Sequence, residues 1–196
     1  MKRSKITILL AIVLGMTFHS CLDLEPQDQL GGKNMWTSVN DYKQFANTFY
    51  SWTRDFSSVV YDGTHSDKRS DLITYQSYNE FSRGINSIPS SDANYTDNYK
   101  HIRRTNLLLK NAEAYAKPED IKQYIGEAYF FRAYSYFDLL QLYGDVIITK
   151  KPLDITDPEM KVKRNDRSEV VDLIIDDLNH AVENLPAFKE LTTEEE

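Results

Sequence analysis

The sequence predicts an all-α protein built from paired helices, with one long irregular insertion after the first helix. Only seven glycines and six prolines occur among the 196 residues, whereas 13 tyrosines and nine phenylalanines are present. Apolar side chains recur at intervals of three and four residues in four stretches, which is the period of an amphipathic helix. Antiparallel helix pairs with aromatic and alanine contacts resemble tetratricopeptide-type stacking, although the internal repeat is weak. We therefore expect a tetratricopeptide-like helix-pair array.

The first and last helices have recognisable start signals. The first is predicted over residues 38–52, where Thr37 or Ser38 can cap it. The last is predicted to start after the cap residue Asp166, because Glu169 follows at the spacing of a capping box. Its expected buried stripe consists of five apolar residues: Val170, Ile174, Leu178, Ala181 and Leu185. Pro186 should end this helix.

Two middle helices are predicted over residues 95–115 and 118–143. In the former, Asn106 lies within the apolar stripe, so we expect a buried amide that holds a neighbouring segment by hydrogen bonds. The latter is apolar nearly all round, so it needs neighbours on several sides and its aromatic residues should be packed. Arg132 lies on one of these apolar faces and requires a carboxylate or carbonyl partner. Gly144 suits the end of this helix, and Asp145 a turn.

The segment 54–93 lacks this period and is rich in Ser, Asp, Asn and Tyr. An irregular segment of this length inside a domain is often functional. Aromatic rings bordered by Asp, Asn and Arg suit sugars, because the rings take the apolar face and the polar groups bind hydroxyls. The predicted ligand-binding residues are Asp67, Arg69, Asp71, Tyr75, Tyr78 and Asn79. The alternative is that Tyr75, Tyr78 and Phe81 only pack this segment onto the helices.

The amino terminus has the layout of a secretory signal. A basic start with Lys2, Arg3 and Lys5 precedes an apolar run over 6–16, which is too short to span a bilayer as a helix. The single cysteine, Cys21, follows the small residue Ser20, which indicates a bacterial lipoprotein signal over 1–20 and lipidation of Cys21. Residues 21–35 then read as a lipidated tether, and 36–196 as the helical domain. Ordinary secretion with an incidental cysteine is the alternative.

Charge and composition exclude several classes of function. Removal of residues 1–20 takes away three positive charges and no acid, which moves the net charge from −7 to −10. Such an acidic protein is not suited to nucleic acid. The histidines lack the spacing of a metal site, and no catalytic set of residues stands out. We therefore expect no cofactor, no metal and no enzymatic activity.

The stretch 126–148, GEAYFFRAYSYFDLLQLYGDVII, resembles the most recognisable segment of the SusD/RagB family. The family pattern is matched by nine residues: Arg132, Ala133, Tyr136, Phe137, Leu139, Tyr143, Gly144, Asp145 and Val146. Ile147 replaces the usual proline. Family features before and after this segment occur in the right order, among them Tyr99, Ile102 and Asn106. The resemblance covers essentially the whole chain, although family members usually run to several hundred residues, so we expect an N-terminal portion.

The resemblance implies a lipid-anchored protein of the bacterial outer membrane, exposed at the cell surface. Such proteins pair with a TonB-dependent transporter of the SusC type and capture oligosaccharides or peptides for import. We favour an oligosaccharide as the ligand. The alternatives are a helical scaffold that only docks to a partner, a truncated fragment without its own ligand site, and a surface hydrolase.

Overall fold

The computed structural model describes residues 35–54, 83–85, 87–154 and 156–187, and the structural statements below concern these residues. They form four α-helices: α1 (Val39–Asn47), α2 (Ala93–Ala112), α3 (Lys122–Tyr143) and α4 (Arg167–Asn184). Short 3₁₀ helices occupy Thr48–Trp52, Pro118–Ile121 and Pro158–Lys161. All these helices belong to one compact unit, which begins at Trp36. The all-α prediction is confirmed.

The helix α1 begins with the predicted cap. The Asp41 backbone N–H donates to the Ser38 hydroxyl at 3.3 Å, and the Ser38 N–H donates to the Asp41 carboxylate at 2.8 Å. This reciprocal pair satisfies two N–H groups that a helix start leaves without a partner. Tyr42 and Phe45 are fully buried, and Phe49 continues the buried stripe into the 3₁₀ helix.

The central helix is α3, which packs against α2 on one side and α4 on the other. The Tyr143 hydroxyl at its end donates to Asp92, just before α2, at 2.6 Å, so the two helices run antiparallel. Near its start, Gly126 faces the end of α4, where an added Cβ would lie 2.9 Å from Leu185. The helices α3 and α4 are therefore antiparallel too. None of the described helices combines the length and apolar character needed to cross a bilayer.

A buried ion pair joins α3 to α4. The guanidinium of Arg132 donates to both carboxylate oxygens of Asp177, at 2.8 and 2.6 Å, and its third nitrogen donates to Asn106 at 2.7 Å. The exposed fraction is 5% for the Arg132 side chain and zero for Asp177. The expectations of a partner for Arg132 and of a buried amide at Asn106 are therefore confirmed. Charges this deeply buried are tolerated only when paired and hydrogen-bonded.

The residues 146–151, called the strap here, run along the bundle beside α2. Their backbone is held by side chains of the two preceding helices. The Tyr99 hydroxyl bonds both the N–H and the carbonyl of Ile147, each at 2.9 Å. The Tyr136 hydroxyl accepts from the Thr149 N–H at 2.7 Å and donates to its carbonyl at 3.2 Å. Asn106 donates to the carbonyls of Thr149 and Lys151. The strap is thus fixed without a sheet.

The turn into the strap depends on Gly144. Its φ of +70° and ψ of −108° belong to a region that residues with a Cβ rarely adopt. An added Cβ would also lie 2.8 Å from the guanidinium of Arg167. The next residue, Asp145, accepts a hydrogen bond from the Arg167 backbone N–H at 3.0 Å, which links the turn to the start of α4. The predicted helix end and turn are confirmed.

Two predictions about buried faces are wrong in part. Phe130 and Phe137 of α3 are 40% and 47% exposed, because α1, α2 and α4 cover only part of its circumference. On α4, Leu178 is 40% exposed, whereas Asp177 is fully buried against Arg132. The inner face of α4 therefore follows the expected stripe at Val170, Ile174 and Ala181, but it includes a carboxylate that pairs with the buried cation, which the apolar pattern did not predict.

Candidate functional site

An exposed cluster of rings lies on the side of α3 that no other described helix covers. We call it the aromatic face, and it consists of Tyr50, Phe130, Tyr134 and Phe137. The three α3 residues are spaced by four and three positions, so they lie on one side of the helix. Tyr50 joins them from the 3₁₀ helix, because its ring and that of Phe130 both contact Phe131, with centroids 5.1 and 5.2 Å apart.

The α3 part of the face extends over about 10 Å, since a helix rises 1.5 Å per residue. Three of its rings keep 40–52% of their surface exposed. Tyr134 is half-buried. An exposed group of large apolar rings of this kind is typical of a binding surface. The length suits an elongated ligand with repeating flat units.

A charged pair borders the face. The guanidinium of Arg54 forms an ion pair with Asp138 of α3. It also lies 5.7 Å from the centroid of the Tyr134 ring, within the range of a cation–π contact. The face therefore has hydrogen-bond donors and acceptors beside an aromatic ring, as the recognition of hydroxyl groups requires.

A buried carboxyl lies at another edge of the face. Glu127 is 5% exposed and accepts a hydrogen bond from Gln123 at 2.9 Å. Burial raises the pKa of its carboxyl, while Gln123 and Tyr50 act in the opposite direction. Burial also raises the pKa of Tyr50, and Glu127 adds to that effect. The Tyr50 hydroxyl therefore stays protonated and polar at the edge of an otherwise apolar surface.

The support below Tyr50 comes from stacked rings. Trp52 lies parallel to His101 of α2, with centroids 4.0 Å apart and planes inclined by 13°. Burial lowers the pKa of His101, so its ring is neutral at pH 7. Phe131 packs against Trp52 with centroids 5.8 Å apart. These contacts join the 3₁₀ helix to α2 and α3, so the two parts of the aromatic face rest on one packed base.

The aromatic face can bind a ligand without any covalent step. Ring faces contact apolar C–H surfaces, while a guanidinium and carboxylates at the border bind hydroxyls. Among the described residues, no group of three or more His, Cys, Asp or Glu side chains is placed to hold a metal ion. The rings and their polar border are therefore suited to a flat, hydroxylated ligand.

The predicted site residues are not brought together by the described part of the chain. Cys21 and the six candidates Asp67, Arg69, Asp71, Tyr75, Tyr78 and Asn79 lie outside the described residues. The segment that carries these six is joined covalently to Arg54 at the border of the aromatic face.

Sequence reasoning missed the residues of the aromatic face. A signal for them existed, because α3 has apolar residues on all sides and the rest of the sequence predicts only three further helices. Three helices of ordinary diameter leave part of a fourth uncovered. The period of the apolar residues does not show which part that is.

Comparison with known proteins identifies the family to which this chain belongs. Residues 22–194 match the profile of a SusD-like family described as "Starch-binding associating with outer membrane". The chain belongs to the SusD-like family. At the level of that family, its members bind carbohydrate and associate with the outer membrane.

Two curated relatives come from Formosa agariphila. SusD-like protein P38 is 28% identical over 94% of this chain and 38% of its own length. SusD-like protein P2 is 27% identical over 95% of this chain and 39% of its own length. The chain therefore spans about two-fifths of the length of the curated relatives that it matches.

Solved structures show the same fold. A SusD-like protein from Bacteroides fragilis superposes with a TM-score of 0.64 at 23% identity, covering 85% of this chain and 33% of that protein. A SusD-like carbohydrate binding protein from the same organism gives a TM-score of 0.60 at 20% identity, covering 82% and 34%. These likenesses confirm the helical SusD-like architecture.

Proposed function

We propose that this protein is a lipid-anchored outer-membrane protein that binds oligosaccharides at the cell surface and delivers them to a SusC-like TonB-dependent transporter. Capture is non-covalent, and the protein itself breaks no bond. The observation that carries the proposal is the exposed aromatic face with its charged border, in a chain of a carbohydrate-binding family. Peptides are the second class of ligand to be tested.

The ligand site in this proposal has two parts. The aromatic face supplies rings for the apolar sides of sugar rings, and Arg54 and Asp138 bind hydroxyls at its border. The segment that follows Arg54 supplies the second part, with Asp67, Arg69, Asp71, Tyr75, Tyr78 and Asn79 as ligand contacts. Support for joining the two parts is the covalent continuity of the chain at Arg54 and the high density of Tyr, Asp and Asn after it.

The membrane anchor in this proposal is Cys21. The basic start, the short apolar run and the cysteine after Ser20 support removal of residues 1–20 and acylation of the new amino terminus. Residues 21–35 then act as a tether between lipid and helical domain. A protein held in this way stays close to a transporter in the same membrane, so that ligand transfer is favoured by a high effective concentration.

Calorimetric titration of the full chain tests capture. The probes are maltoheptaose, a β-1,3-linked glucose oligosaccharide and a mixed-sequence tetrapeptide. The proposal expects binding of at least one oligosaccharide and a loss of at least tenfold in affinity when Tyr75 and Tyr78 are both replaced by Ala. The matched control is replacement of both by Phe, which keeps the rings and should retain most of the affinity.

The alternative role as a scaffold has a distinct outcome. If the lipidated protein co-purifies with a SusC-like transporter but none of the probes produces heat, the protein docks without capturing a ligand. Release of shorter sugars from any probe would instead reveal a hydrolase. Absence of lipid on Cys21 after expression in a bacterial host that processes lipoproteins would contradict the anchor.

A further inference from the structure

A cavity of about 400 Å³ lies on a different side of the bundle, between α2 and the strap. Its walls are the rings of Tyr95 and Tyr99 on α2, and Ile147 and Leu153 on the opposite side. The volume lies within the range of natural small-molecule sites. The exposed rings of the aromatic face do not line it, so it is independent of the function proposed above.

The walls of this cavity are held in place before any ligand arrives. The Tyr99 hydroxyl is committed to both backbone groups of Ile147, so only its ring is available to the cavity. Tyr95 packs against Tyr99 and Tyr143, with centroid distances of 4.8 and 5.1 Å. Since the walls need not be ordered on binding, a ligand loses little free energy to reorganisation of the protein.

Cationic groups stand at the rim. Arg103 is fixed by a hydrogen bond from its Nε to the Leu153 carbonyl at 3.0 Å, while its Nη2 reaches the Asp154 carboxylate at 3.1 Å. Lys151 pairs with Glu159 at 2.6 Å. The carboxylates of Asp154 and Glu159 keep 76% and 50% of their surface exposed, respectively. Exposed ion pairs of this kind are weak, so another anion can compete for the two cations.

The lining determines which ligand fits. Most of the lining surface is apolar, and the polar residues that line the cavity are Thr96, Thr149, Lys100, Arg103, Lys151 and Glu159. A neutral sugar would bury several hydroxyls without partners, which is unfavourable. An apolar ring or branched chain fills the cavity without that cost, and a carboxylate at its end reaches the oriented guanidinium of Arg103. Bidentate contact with a carboxylate is the interaction for which arginine is best suited.

We propose that this cavity is a second ligand site, which binds a small carboxylic acid with an aromatic or branched apolar body. The body lies between Tyr95, Tyr99 and Leu153, and the carboxylate displaces Asp154 from Arg103. Lys151 supports the same carboxylate from across the rim. The bound ligand then bridges α2 and the residues that follow the strap.

Titration of the full chain with 3-phenylpropionate tests this proposal, with 3-phenylpropionamide as a neutral ligand of the same shape. The carboxylate should bind at least tenfold more tightly than the amide. Arg103→Gln should lower the affinity for the carboxylate at least tenfold. Lys117→Gln removes an exposed positive charge at a residue that does not line the cavity and should leave the affinity unchanged.

A gain of affinity provides the sharper test, because a misfolded variant cannot produce it. Asp154→Asn removes the competing carboxylate and should increase the affinity for 3-phenylpropionate at least threefold. Equal binding of acid and amide, no binding of either, or unchanged or weaker binding by Asp154→Asn would each overturn the proposal. Replacing Phe130 and Phe137 by Ala should leave this affinity intact, so failure here is distinguishable from failure of oligosaccharide capture.

Discussion

The two sides of α3 use aromatic and charged residues in opposite ways. Towards α2, α4 and the strap, Arg132 and Tyr136 are buried and each makes at least two hydrogen bonds. On the aromatic face, Phe130 and Phe137 keep nearly half of their surface exposed. The residues of the family-like motif on the buried side therefore build the architecture, while the exposed rings remain available for binding.

The comparison predicts a severe loss of stability when the buried pair is broken. Asp177→Ala leaves the Arg132 guanidinium buried without its counter-charge, which should lower the free energy of unfolding by about 3–5 kcal/mol. This loss in the free energy of unfolding can be measured by urea denaturation, with circular dichroism as the probe. Replacing Arg132 by Met together with Asp177 by Leu should restore much of that loss. A double variant as unstable as Asp177→Ala would show that the pair is not the cause.

A smaller loss of stability is expected when the hydroxyl that fixes the strap is removed. Tyr136→Phe leaves the part-buried N–H of Thr149 without that partner and its carbonyl with Asn106 alone, which should reduce the free energy of unfolding by about 1–3 kcal/mol. Tyr134→Phe removes the same hydroxyl group two residues earlier, on the aromatic face. This variant should change the free energy of unfolding by less than about 0.5 kcal/mol. Equal effects in the same denaturation experiment would remove the distinction between the two sides.

The exposed rings should contribute little to stability. Truncating a half-exposed side chain removes few packing contacts, so Phe130→Ala should lower the free energy of unfolding by less than about 1 kcal/mol. The buried Phe131, its neighbour, gives the contrast, because Phe131→Ala should cost about 3–5 kcal/mol. Thermal unfolding of both variants provides the measurement. A large loss for Phe130→Ala would mean that this ring belongs to the core.

The smallest predicted effect is a pH dependence at the base of the aromatic face. Because burial lowers the pKa of His101, the unfolded chain takes up a proton near pH 6.5 while the folded protein does not. Stability should therefore fall as the pH decreases below about 6.5. His101→Phe should show a weaker fall than the wild type between pH 7 and 5, measured by urea denaturation. Identical slopes would contradict the burial of this imidazole in solution.

The sequence was informative about the buried side for a physical reason. A buried cation requires a partner, a buried amide requires hydrogen bonds, and a glycine allows a helix to end in a turn. The roles of Arg132, Asn106 and Gly144 could therefore be predicted from residue type and period. The identity of the Arg132 partner could not be predicted from the sequence, because many carboxylates were available and Asp177 lies just beside the expected stripe. The exposure of Phe130 and Phe137 depends on which faces the other helices cover, which no local pattern records.

The candidate site was predictable only in part. The composition of segment 54–93 indicated a binding surface near the end of the first helix, and the aromatic face lies where that segment begins, at Arg54. The predicted contacts within the segment stay predictions. Tyr50 was missed because a single exposed ring in a predicted helix has no signature of its own in the sequence.

The most direct test of the account is the affinity of a Phe130→Ala, Phe137→Ala double variant for the oligosaccharide that binds the wild-type chain best. Calorimetry should show a loss of at least tenfold while the variant remains folded, and Val182→Ala, which shortens a 79% exposed side chain on α4, should bind like the wild type. An unchanged affinity in the folded double variant would contradict the claim that the uncovered side of α3 binds the ligand.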